Sequence, residues 1–346
     1  MPNAAEIGPD KHLAHIAFAD CFQQRGHAEE SMASPWRVQG ASFPLASTQQ
    51  GAALGGLDWY GMAMTLLRIP GIAFITLLML ASPAFAQAAR DLFGGVHQPS
   101  GGPEMVIGSY AKGCIGGAVQ LSADGPGWQA MRLSRDRRWG SAELVQYIET
   151  LAQAVAQDGL PGILVGDMGQ ARGGPMVSGH ASHQIGLDVD IWLQPMPTHL
   201  LSANERESLS AISVLKAGTR DVDPELFGEA QRLLLYRAAQ LPGVARIFVA
   251  PGIKRSLCAI NWRDRSFLAK LRPWYGHDDH LHVRLACPAT SESCVDQDPV
   301  PAGDGCGADL DYWFTDAPYQ PSTSPPSPPL TLADLPNACT AVLQTN

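Results

Sequence analysis

The sequence predicts an α+β fold in which strands and helices are mixed along one domain. Apolar and polar residues alternate over residues 187–192 and 280–285, which is the period-2 pattern of strands. Short apolar runs at residues 163–165 and 244–250 predict two further strands. Residues 141–157 instead have the spacing of a helix. Because these elements do not alternate strictly between strand and helix, an α+β class is favoured over α/β.

Three helices are predicted in chain order. The first covers residues 141–157, where apolar residues recur every three or four positions and Ser141 can cap the first turn. Ser202 with Glu205 three residues later is a capping-box signature for a second helix. The Asp-Pro pair at residues 223–224 predicts the start of a third, because proline is favoured at the first helical position.

The N-terminal part of the sequence predicts export. Residues 62–86 contain the positive charge of Arg68, then an apolar run, then the small residues Ala84 and Ala86, which is the order of a signal peptide cleaved after Ala86. An uncleaved anchor is the alternative, although the apolar run is short for a membrane span of ~20 residues. Because signal peptides stand at the N-terminus, we interpret residues 1–61 as an extension from an early start codon and assign them no fold.

The composition of the remaining chain sets the other domain boundaries. Residues 87–104 are polar and contain glycine and proline, which predicts a linker. Residues 105–316 then form the predicted domain, which is long enough to bury a substantial core. Proline and serine dominate residues 317–330, a second predicted linker, and residues 331–346 form a short tail.

Charge and motif content exclude two classes of function. The formal net charge is −9 and no basic stripe occurs, so nucleic acid is not an expected partner. No glycine-rich phosphate loop stands between a predicted strand and a predicted helix, so the sequence does not indicate a nucleotide site.

The cysteines agree with export. Of seven cysteines only Cys21 precedes the predicted cleavage point, which leaves six, an even number for an oxidising compartment. Spacing alone permits fifteen pairings of six cysteines. Cys287 and Cys294 are the best candidates for a local pair. Ligation of a metal by these thiols is the alternative, but no C-x2-C spacing occurs.

Histidines and aspartates are concentrated in two short windows, residues 178–192 and 277–285. Five of the ten histidines and two aspartates matter here: His180, His183, Asp188, Asp190, His277, His280 and His282. On a strand, residues two apart point to the same face, so both members of the His-x-His pair share one face and so do the two aspartates. If the two strands are neighbours, His183, one aspartate and one histidine of the pair converge on one ion. Three protein ligands leave a fourth position open, as in a catalytic zinc site.

Each of these residues also has an ordinary reading. A single His-x-His on a strand is more often a surface or core pair, and turn residues are the alternative interpretation of the two aspartates. The two motifs occurring together on strand-like patterns favour a metal site.

The motifs His183-x6-Asp190 and His280-x-His282 resemble the zinc motifs of lysostaphin-type peptidases, D-alanyl-D-alanine carboxypeptidases and the hedgehog N-terminal domain. The longer segments GSYAKGCIGGA, MRLSRDRRWG, RGGPMVSGHASHQIGLDVDIW and RPWYGHDDHLHVRLACP are similar to the penicillin-insensitive murein endopeptidases. This resemblance covers residues 105–315. It implies one α+β domain whose central, mainly antiparallel sheet carries the zinc site, as in hedgehog and the D,D-peptidases.

The resemblance implies a role for each residue of the two windows. It selects His183, Asp190 and His282 as zinc ligands and His280 as the catalytic residue. His180 and His277 are then candidates for contacts to a second metal or to substrate, with simple packing as the alternative.

Other residues are assigned from their chemistry. Asp188 is the alternative ligand, or a group that orients a histidine from behind. Arg172 is a candidate for holding a substrate carboxylate. Three aromatic residues are candidates for the walls of a cleft, with core packing as the alternative: Trp192, Trp274 and Tyr275.

The function implied by the resemblance is zinc-dependent hydrolysis of D-alanyl–meso-diaminopimelyl cross-links in peptidoglycan, in the periplasm and with no membrane span after signal cleavage. The family pattern also suggests Cys258–Cys306 and Cys114–Cys339 as disulfides. A D,D-carboxypeptidase, a non-enzymatic zinc-bearing peptidoglycan-binding module and a metal-buffering protein are the alternatives. The presence of His280 favours an enzyme.

Overall fold

The structure of the protein is a computed structural model that describes residues 87–321 and 327–345. The predicted N-terminal extension and signal peptide lie outside the described residues, as does part of the predicted proline- and serine-rich linker. Within the described ranges, every helix is too short or too polar to cross a membrane.

The strands form one large sheet and two small sheets. The described residues contain β1 Met105–Ser109, β2 Lys112–Gly116, β3 Val119–Gln120, β4 Asp124–Gly125, β5 Trp128–Ala130, β6 Trp139–Gly140, β7 Ile163–Val165, β8 Asp188–Trp192, β9 Val244–Val249, β10 Leu271–Pro273 and β11 His280–Leu285. Seven of them form one sheet in the order β10-β9-β11-β8-β7-β5-β4. β1 pairs with β2 and β3 with β6 in two small sheets.

The central sheet is mixed and mainly antiparallel. Its third strand, β11, runs antiparallel to both β8 and β9, and β8 runs antiparallel to β7. Only the pairs β10–β9 and β5–β7 are parallel within this sheet. The chain is therefore of mixed α and β structure, as the sequence predicts.

The described residues also contain seven α-helices. They are α1 Ala89–Gly94, α2 Ala142–Gln157, α3 Ala203–Ser208, α4 Glu229–Gln240, α5 Pro251–Cys258, α6 Ala308–Asp311 and α7 Ala338–Gln344. Short 3-10 turns occur at Leu133–Arg135, Ser266–Lys270, Tyr312–Phe314, Ala317–Tyr319 and Leu332–Asp334.

The two helices predicted from capping signals are confirmed. The Ser141 hydroxyl accepts a hydrogen bond from the Leu144 backbone N–H at the start of α2, and the repeating apolar face of α2 is buried in the main core. Ser202 and Glu205 form the reciprocal capping box of α3.

The prediction that a helix starts at Asp223-Pro224 is wrong. The Asp223 carboxylate accepts the Glu225 backbone N–H at 3.0 Å, and its carbonyl accepts from Leu226 and Phe227, so this segment closes as a turn. The helix begins six residues later at Glu229. Asp-Pro favours both a turn and a helix start, and here the side chain of Asp223 selects the turn.

Residues 87–104, expected as a polar linker, contain α1. Ala89 and Phe93 of this helix are buried in a small second core that also holds Leu335 and Val342 of the C-terminal tail. The lead-in and the tail are therefore packed on each other, and the folded region starts before Met105.

Three disulfides link the described residues. They join Cys114 to Cys339, Cys258 to Cys306, and Cys287 to Cys294. The first fixes the C-terminal tail to β2 across a separation of 225 residues.

The register of the sheet builds the face on which the site lies. His282 of β11 stands directly opposite Asp190 of β8, and Arg284 stands opposite Asp188. Directly opposed residues share a face, so the polar residues of both strands lie side by side. The intervening apolar residues of the two strands are buried in the core: Val189, Ile191, Leu281 and Val283.

Candidate metal centre

The carboxylate of Asp190 is the centre of the histidine cluster. Its Oδ1 lies 3.4 Å from His183 Nε2, 3.7 Å from His280 Nε2 and 4.0 Å from His282 Nδ1. Its Oδ2 lies 3.6 Å from His180 Nδ1. The structure thus brings four histidines, two from the loop before β8 and two from β11, around one buried carboxylate of β8.

His183 is held in a strained conformation that aims its ring at Asp190. It has a positive φ of 64°, which is uncommon for a non-glycine residue, and it is fully buried. Its Nδ1 lies 2.8 Å from the Met168 carbonyl, which can only accept, so Nδ1 donates and Nε2 faces Asp190. Its backbone N–H donates to Asp188 at 3.0 Å.

His282 is oriented by a carboxylate from behind. Its Nε2 donates to Asp188 Oδ1 at 2.9 Å, and this leaves Nδ1 directed towards Asp190. Arg284 donates to both oxygens of the same carboxylate, at 2.7 and 3.2 Å. Asp188 is fully buried and its oxygens are occupied by these donors, so it supports the cluster and does not point into it.

His280 has a similar arrangement at the more open side of the cluster. Its Nδ1 donates to Asp279 Oδ1 at 2.5 Å, and its Nε2 faces Asp190. The neighbouring ring of His277 lies 5.0 Å from that of His280, with its Nδ1 donating to the Tyr275 carbonyl at 2.5 Å. The ring of Phe248 packs against that of His282, with 5.0 Å between the ring centroids.

His180 belongs to the cluster through a further carboxylate. Its Nε2 donates to Asp167 Oδ2 at 3.0 Å, so its Nδ1 is the atom that faces Asp190. Asp167 is nearly buried and the same oxygen also accepts from Arg135 and Arg137, at 3.0 and 2.8 Å.

The four histidines share one hydrogen-bonding arrangement. Each of them donates one ring N–H to an outer acceptor and turns its other nitrogen towards Asp190; the members are His180, His183, His280 and His282. An outer acceptor that fixes the tautomer is typical of histidines that bind metal. Among the described residues, His183 Nε2 and Asp190 Oδ1 are buried atoms without a hydrogen-bond partner. Buried polar atoms are rarely left unpaired, and a cation between these two would satisfy both.

The distances between possible ligand atoms also indicate a group that could hold a metal ion. His180, His183 and Asp190 offer ligand atoms that all lie within 4.8 Å of one another. The ligand set expected from the sequence was His183, Asp190 and His282. The structure therefore places His180 as close to the centre as the predicted ligands.

The charges of the cluster are strongly coupled. Burial opposes ionisation of Asp190, but the surrounding His183, His280 and His180 outweigh it and hold its pKa well below the usual value. Burial lowers the pKa of His183, and the charge of Asp190 more than reverses this, so that the pKa is raised. The pKa of His280 is raised to about 9 because Asp190 and Asp279 outweigh its burial.

The pKa values of two other histidines and of the outer carboxylate Asp167 are lowered. Burial lowers the pKa of His282 to about 4, against the opposing charge of Asp188, and lowers that of His277 to about 3. The pKa of Asp167 falls to about 2 because His180 and Arg137 outweigh its burial. His282 is therefore neutral and Asp167 ionised at neutral pH, as metal ligation and its support require.

Arg172 does not lie in the cluster. It is buried, and its guanidinium donates to the backbone carbonyls of Gln98, Val342 and Leu343. The sequence could not show that the C-terminal tail would occupy this arginine, so its expected role in holding a substrate carboxylate is corrected to one in tail docking.

The three aromatic residues considered as cleft walls have different positions. Trp192 is buried and stands opposite His280 in the sheet. Trp274 and Tyr275 are exposed by 49% and 43%, and Trp274 packs against Phe248 beside the cluster. Only the latter pair is accessible to a large ligand.

Sequence reasoning gave Asp188 as a group that can orient a histidine from behind, but it did not identify Asp279, Arg284 or Asp167. Asp279 precedes His280 in the chain, and Arg284 follows His282 by two residues on the same strand face, so both had a local signal. Asp167 and Met168 come from a loop after β7, and only the tertiary structure brings them to His180 and His183.

Similar proteins give the cluster its context. Residues 106–344 match the family described as penicillin-insensitive murein endopeptidase. A protein of that name from Klebsiella pneumoniae is 42% identical over 272 residues, covering 78% of this chain and 96% of the relative. One from Haemophilus influenzae is 44% identical over 230 residues, covering 66% and 79%. One from Escherichia coli is 42% identical over 275 residues, covering 78% and 97%. Because these matches span most of this chain and most of each relative, the chain belongs to the penicillin-insensitive murein endopeptidase family.

Proposed function

We propose that this protein is a zinc-dependent endopeptidase that hydrolyses D-alanyl–meso-diaminopimelyl cross-links in peptidoglycan. The observation that carries this proposal is the pair of buried, unpartnered atoms, His183 Nε2 and Asp190 Oδ1, which face each other at 3.4 Å. The relatives are murein endopeptidases by name, which supports murein as the substrate of this chain. The metal, the bond and the residue roles are our inference.

His183, Asp190 and His282 would hold the zinc. Their inward atoms are two imidazole nitrogens and one carboxylate oxygen, which are donor types that zinc prefers, and three protein ligands are typical of a catalytic zinc. When bound, zinc polarises the scissile carbonyl and lowers the pKa of a bound water towards ~7.

His280 is the proposed general base and acid. Its Nε2 faces the cluster while Asp279 holds its Nδ1–H, so the residue is oriented to take a proton from the attacking water. The water oxygen forms the new bond to the amide carbon, the carbon–nitrogen bond breaks, and His280 returns the proton to the leaving amine. In this scheme Asp279 keeps the ring in one tautomer throughout.

His180 and His277 are proposed to act outside this primary set. His180 faces the second oxygen of Asp190, so it is placed to bind a second metal or to support the first. His277 lies beside His280 and is a candidate for substrate contact. Zinc stoichiometry separates these roles, because about two ions per chain would assign His180 to a second ion.

The proposed setting is the periplasm. We propose that residues 62–86 act as a cleaved signal peptide. We also propose that the sheet carries the zinc as it does in hedgehog and the D,D-peptidases. An exported protein meets both peptidoglycan and conditions that allow disulfides.

The decisive experiment is digestion of purified muropeptides by the zinc-loaded protein, with products identified by mass. We expect cross-linked dimers to be split into monomers, in the presence of penicillin as well, and the reaction to stop with a strong chelator. Faster release of D-alanine from pentapeptide monomers than splitting of dimers would establish the D,D-carboxypeptidase instead. Activity that survives the chelator, or no activity on either substrate, would refute the zinc endopeptidase.

A further inference from the structure

Arg135 stands at the rim of the metal centre with most of its hydrogen-bonding capacity unused. Its side chain is 48% exposed, whereas the adjoining Arg137 is 10% exposed. One terminal nitrogen of Arg135 donates to Asp167 Oδ2, which also accepts from His180. A guanidinium has five N–H donors, and in the described residues no other side-chain partner of Arg135 occurs. Arg137 is engaged by both Asp167 and Ser178.

The backbone holds Arg135 in this position at a conformational cost. The turn Leu133–Arg135 is flanked by Arg132 and Asp136, which have positive φ values of 54° and 51°. His183 is the remaining non-glycine residue with a positive φ in the described part of the chain. A positive φ is unfavourable for a non-glycine residue, and strained residues tend to cluster at functional sites.

Several contacts fix the strained turn. The backbone and hydroxyl of Ser134 donate to the Glu207 carboxylate at 2.9 and 2.8 Å. At the far end Trp139 donates its indole N–H to Asp136 at 3.0 Å. The direction in which Arg135 leaves the backbone is therefore set by the fold.

The charge around Arg135 favours an anion. Two guanidinium groups share the single carboxylate of Asp167, so this cluster has an excess of positive charge even when His180 is neutral. Glu207 adds a negative charge nearby, but it is exposed to solvent and already bound by Ser134.

The substrate of the proposed function carries a matching anion. When the α-amino group of an amino acid is the nitrogen of the scissile amide, the adjacent carbon bears that amino acid's carboxylate. In a D-alanyl–meso-diaminopimelyl cross-link this carboxylate lies three bonds from the carbonyl carbon that is attacked. Arginine binds such a group with two parallel N–H donors, which gives orientation as well as affinity.

We propose that Arg135 binds the carboxylate next to the scissile amide and so makes the enzyme selective for cross-links whose amine-side residue is ionised there. This inference rests on the proposed function. Arg135 is a substrate-binding residue in this scheme, and Arg137 and Asp167 position it and His180. The substrate class is therefore a peptide with a free carboxylate on the leaving-amine side.

The test compares two cross-linked muropeptide dimers that differ only at this group, one with the carboxylate and one with the carboxamide. Rates are measured with full-length zinc-loaded wild-type protein, Arg135→Gln and Arg135→Lys. Arg232→Gln, which removes a partly exposed arginine of helix α4, is the charge-matched control. Zinc content and thermal unfolding of each variant show whether the fold and the metal centre are intact.

We expect the wild type and Arg232→Gln to prefer the carboxylate dimer by about tenfold or more in kcat/KM, the scale of one charged hydrogen-bonded pair. Arg135→Gln should lose that preference and cut the carboxamide dimer as well as the wild type does. Arg135→Lys should retain part of it. The inference is overturned if the wild type does not discriminate, if Arg135→Gln keeps the wild-type ratio, or if it slows both dimers equally. If the wild type cuts neither dimer, the proposed function fails and this inference with it.

Discussion

The Nε2 of His282 lies 2.9 Å from Oδ1 of Asp188, and both side chains are buried. Arg284 donates to both oxygens of the same carboxylate. One aspartate thus neutralises a buried arginine and fixes the tautomer of a proposed zinc ligand. Loss of this carboxylate should affect stability and metal affinity together.

We predict that Asp188→Asn destabilises the metal-free protein by about 3–5 kcal/mol, because it leaves the Arg284 charge buried without its partner. Zinc affinity should fall by about 10- to 100-fold because a neutral amide orients His282 less strongly than the carboxylate does. Denaturant unfolding and competitive zinc titration measure the two effects. Asp158→Asn breaks the partly exposed ion pair with Arg237 and should cost about 1 kcal/mol or less, with no change in zinc affinity. Wild-type affinity in Asp188→Asn would argue against the orienting role.

A second prediction separates ligands from the proposed base. Asp190→Ala and His282→Ala should lose bound zinc, because each removes one of three ligands. His280→Ala should keep about one zinc per chain and lose activity by about 10²- to 10⁴-fold, the usual scale of general acid–base catalysis. Elemental analysis and dimer cleavage provide the two measurements. His199→Ala, at an exposed histidine paired with Glu205, serves as the control with unchanged zinc and activity. Full zinc occupancy in Asp190→Ala would contradict the ligand assignment.

The third prediction concerns the disulfide that fixes the C-terminal tail. Replacing Cys114 and Cys339 by serine should destabilise the protein by about 5 kcal/mol in the chain-entropy model, because the bond closes a loop of 225 residues. The matched pair Cys287 and Cys294 closes only seven residues and its loss should cost about 2 kcal/mol. Denaturant midpoints of the two double variants test the order. The reverse order would mean that the tail is held mainly by Arg172 and the small core around Phe93.

Local sequence signals predicted much of this fold because their physics is local. The strand β11 follows from alternation of polar and apolar residues, and α2 from its cap and its repeating apolar face. The same reasoning failed at Asp223, where a side-chain contact two residues away chose a turn over a helix. Proline and aspartate are compatible with both structures, so the sequence alone does not decide between them.

The site was predictable only in part for a related reason. Alternation placed Asp188 and Asp190 on one face, but it did not show that one points into the cluster and the other supports it from behind. The sequence also gives no sign that the C-terminal tail accepts hydrogen bonds from Arg172, so it favours a substrate role that the contacts of this arginine do not support. Asp167 reaches His180 from a separate loop, and no spacing in the chain encodes that meeting.

The last prediction links zinc binding to pH. In the metal-free protein Asp190 raises the pKa of His183, which favours its protonated form, and the pKa of His280 is raised to about 9, so the His280 ring retains its extra proton at neutral pH. Zinc needs the His183 nitrogen without its proton, so binding should release about one proton and affinity should fall about tenfold per unit of decreasing pH below that pKa. Calorimetric zinc titrations in buffers of different ionisation enthalpy measure the released proton.

The raised pKa values of these histidines also make the stability of the metal-free protein depend on pH. A histidine whose pKa is raised on folding contributes stability that is fully present below its unfolded value, near 6.5, and is lost as pH rises through the folded value. For His280 this window extends from about 6.5 to about 9. We therefore expect the melting temperature of metal-free wild type to fall across this window. Asp190→Asn removes the charge that raises both histidines, so its metal-free form should show a smaller fall. An equal fall in both proteins would show that groups elsewhere in the chain dominate the titration.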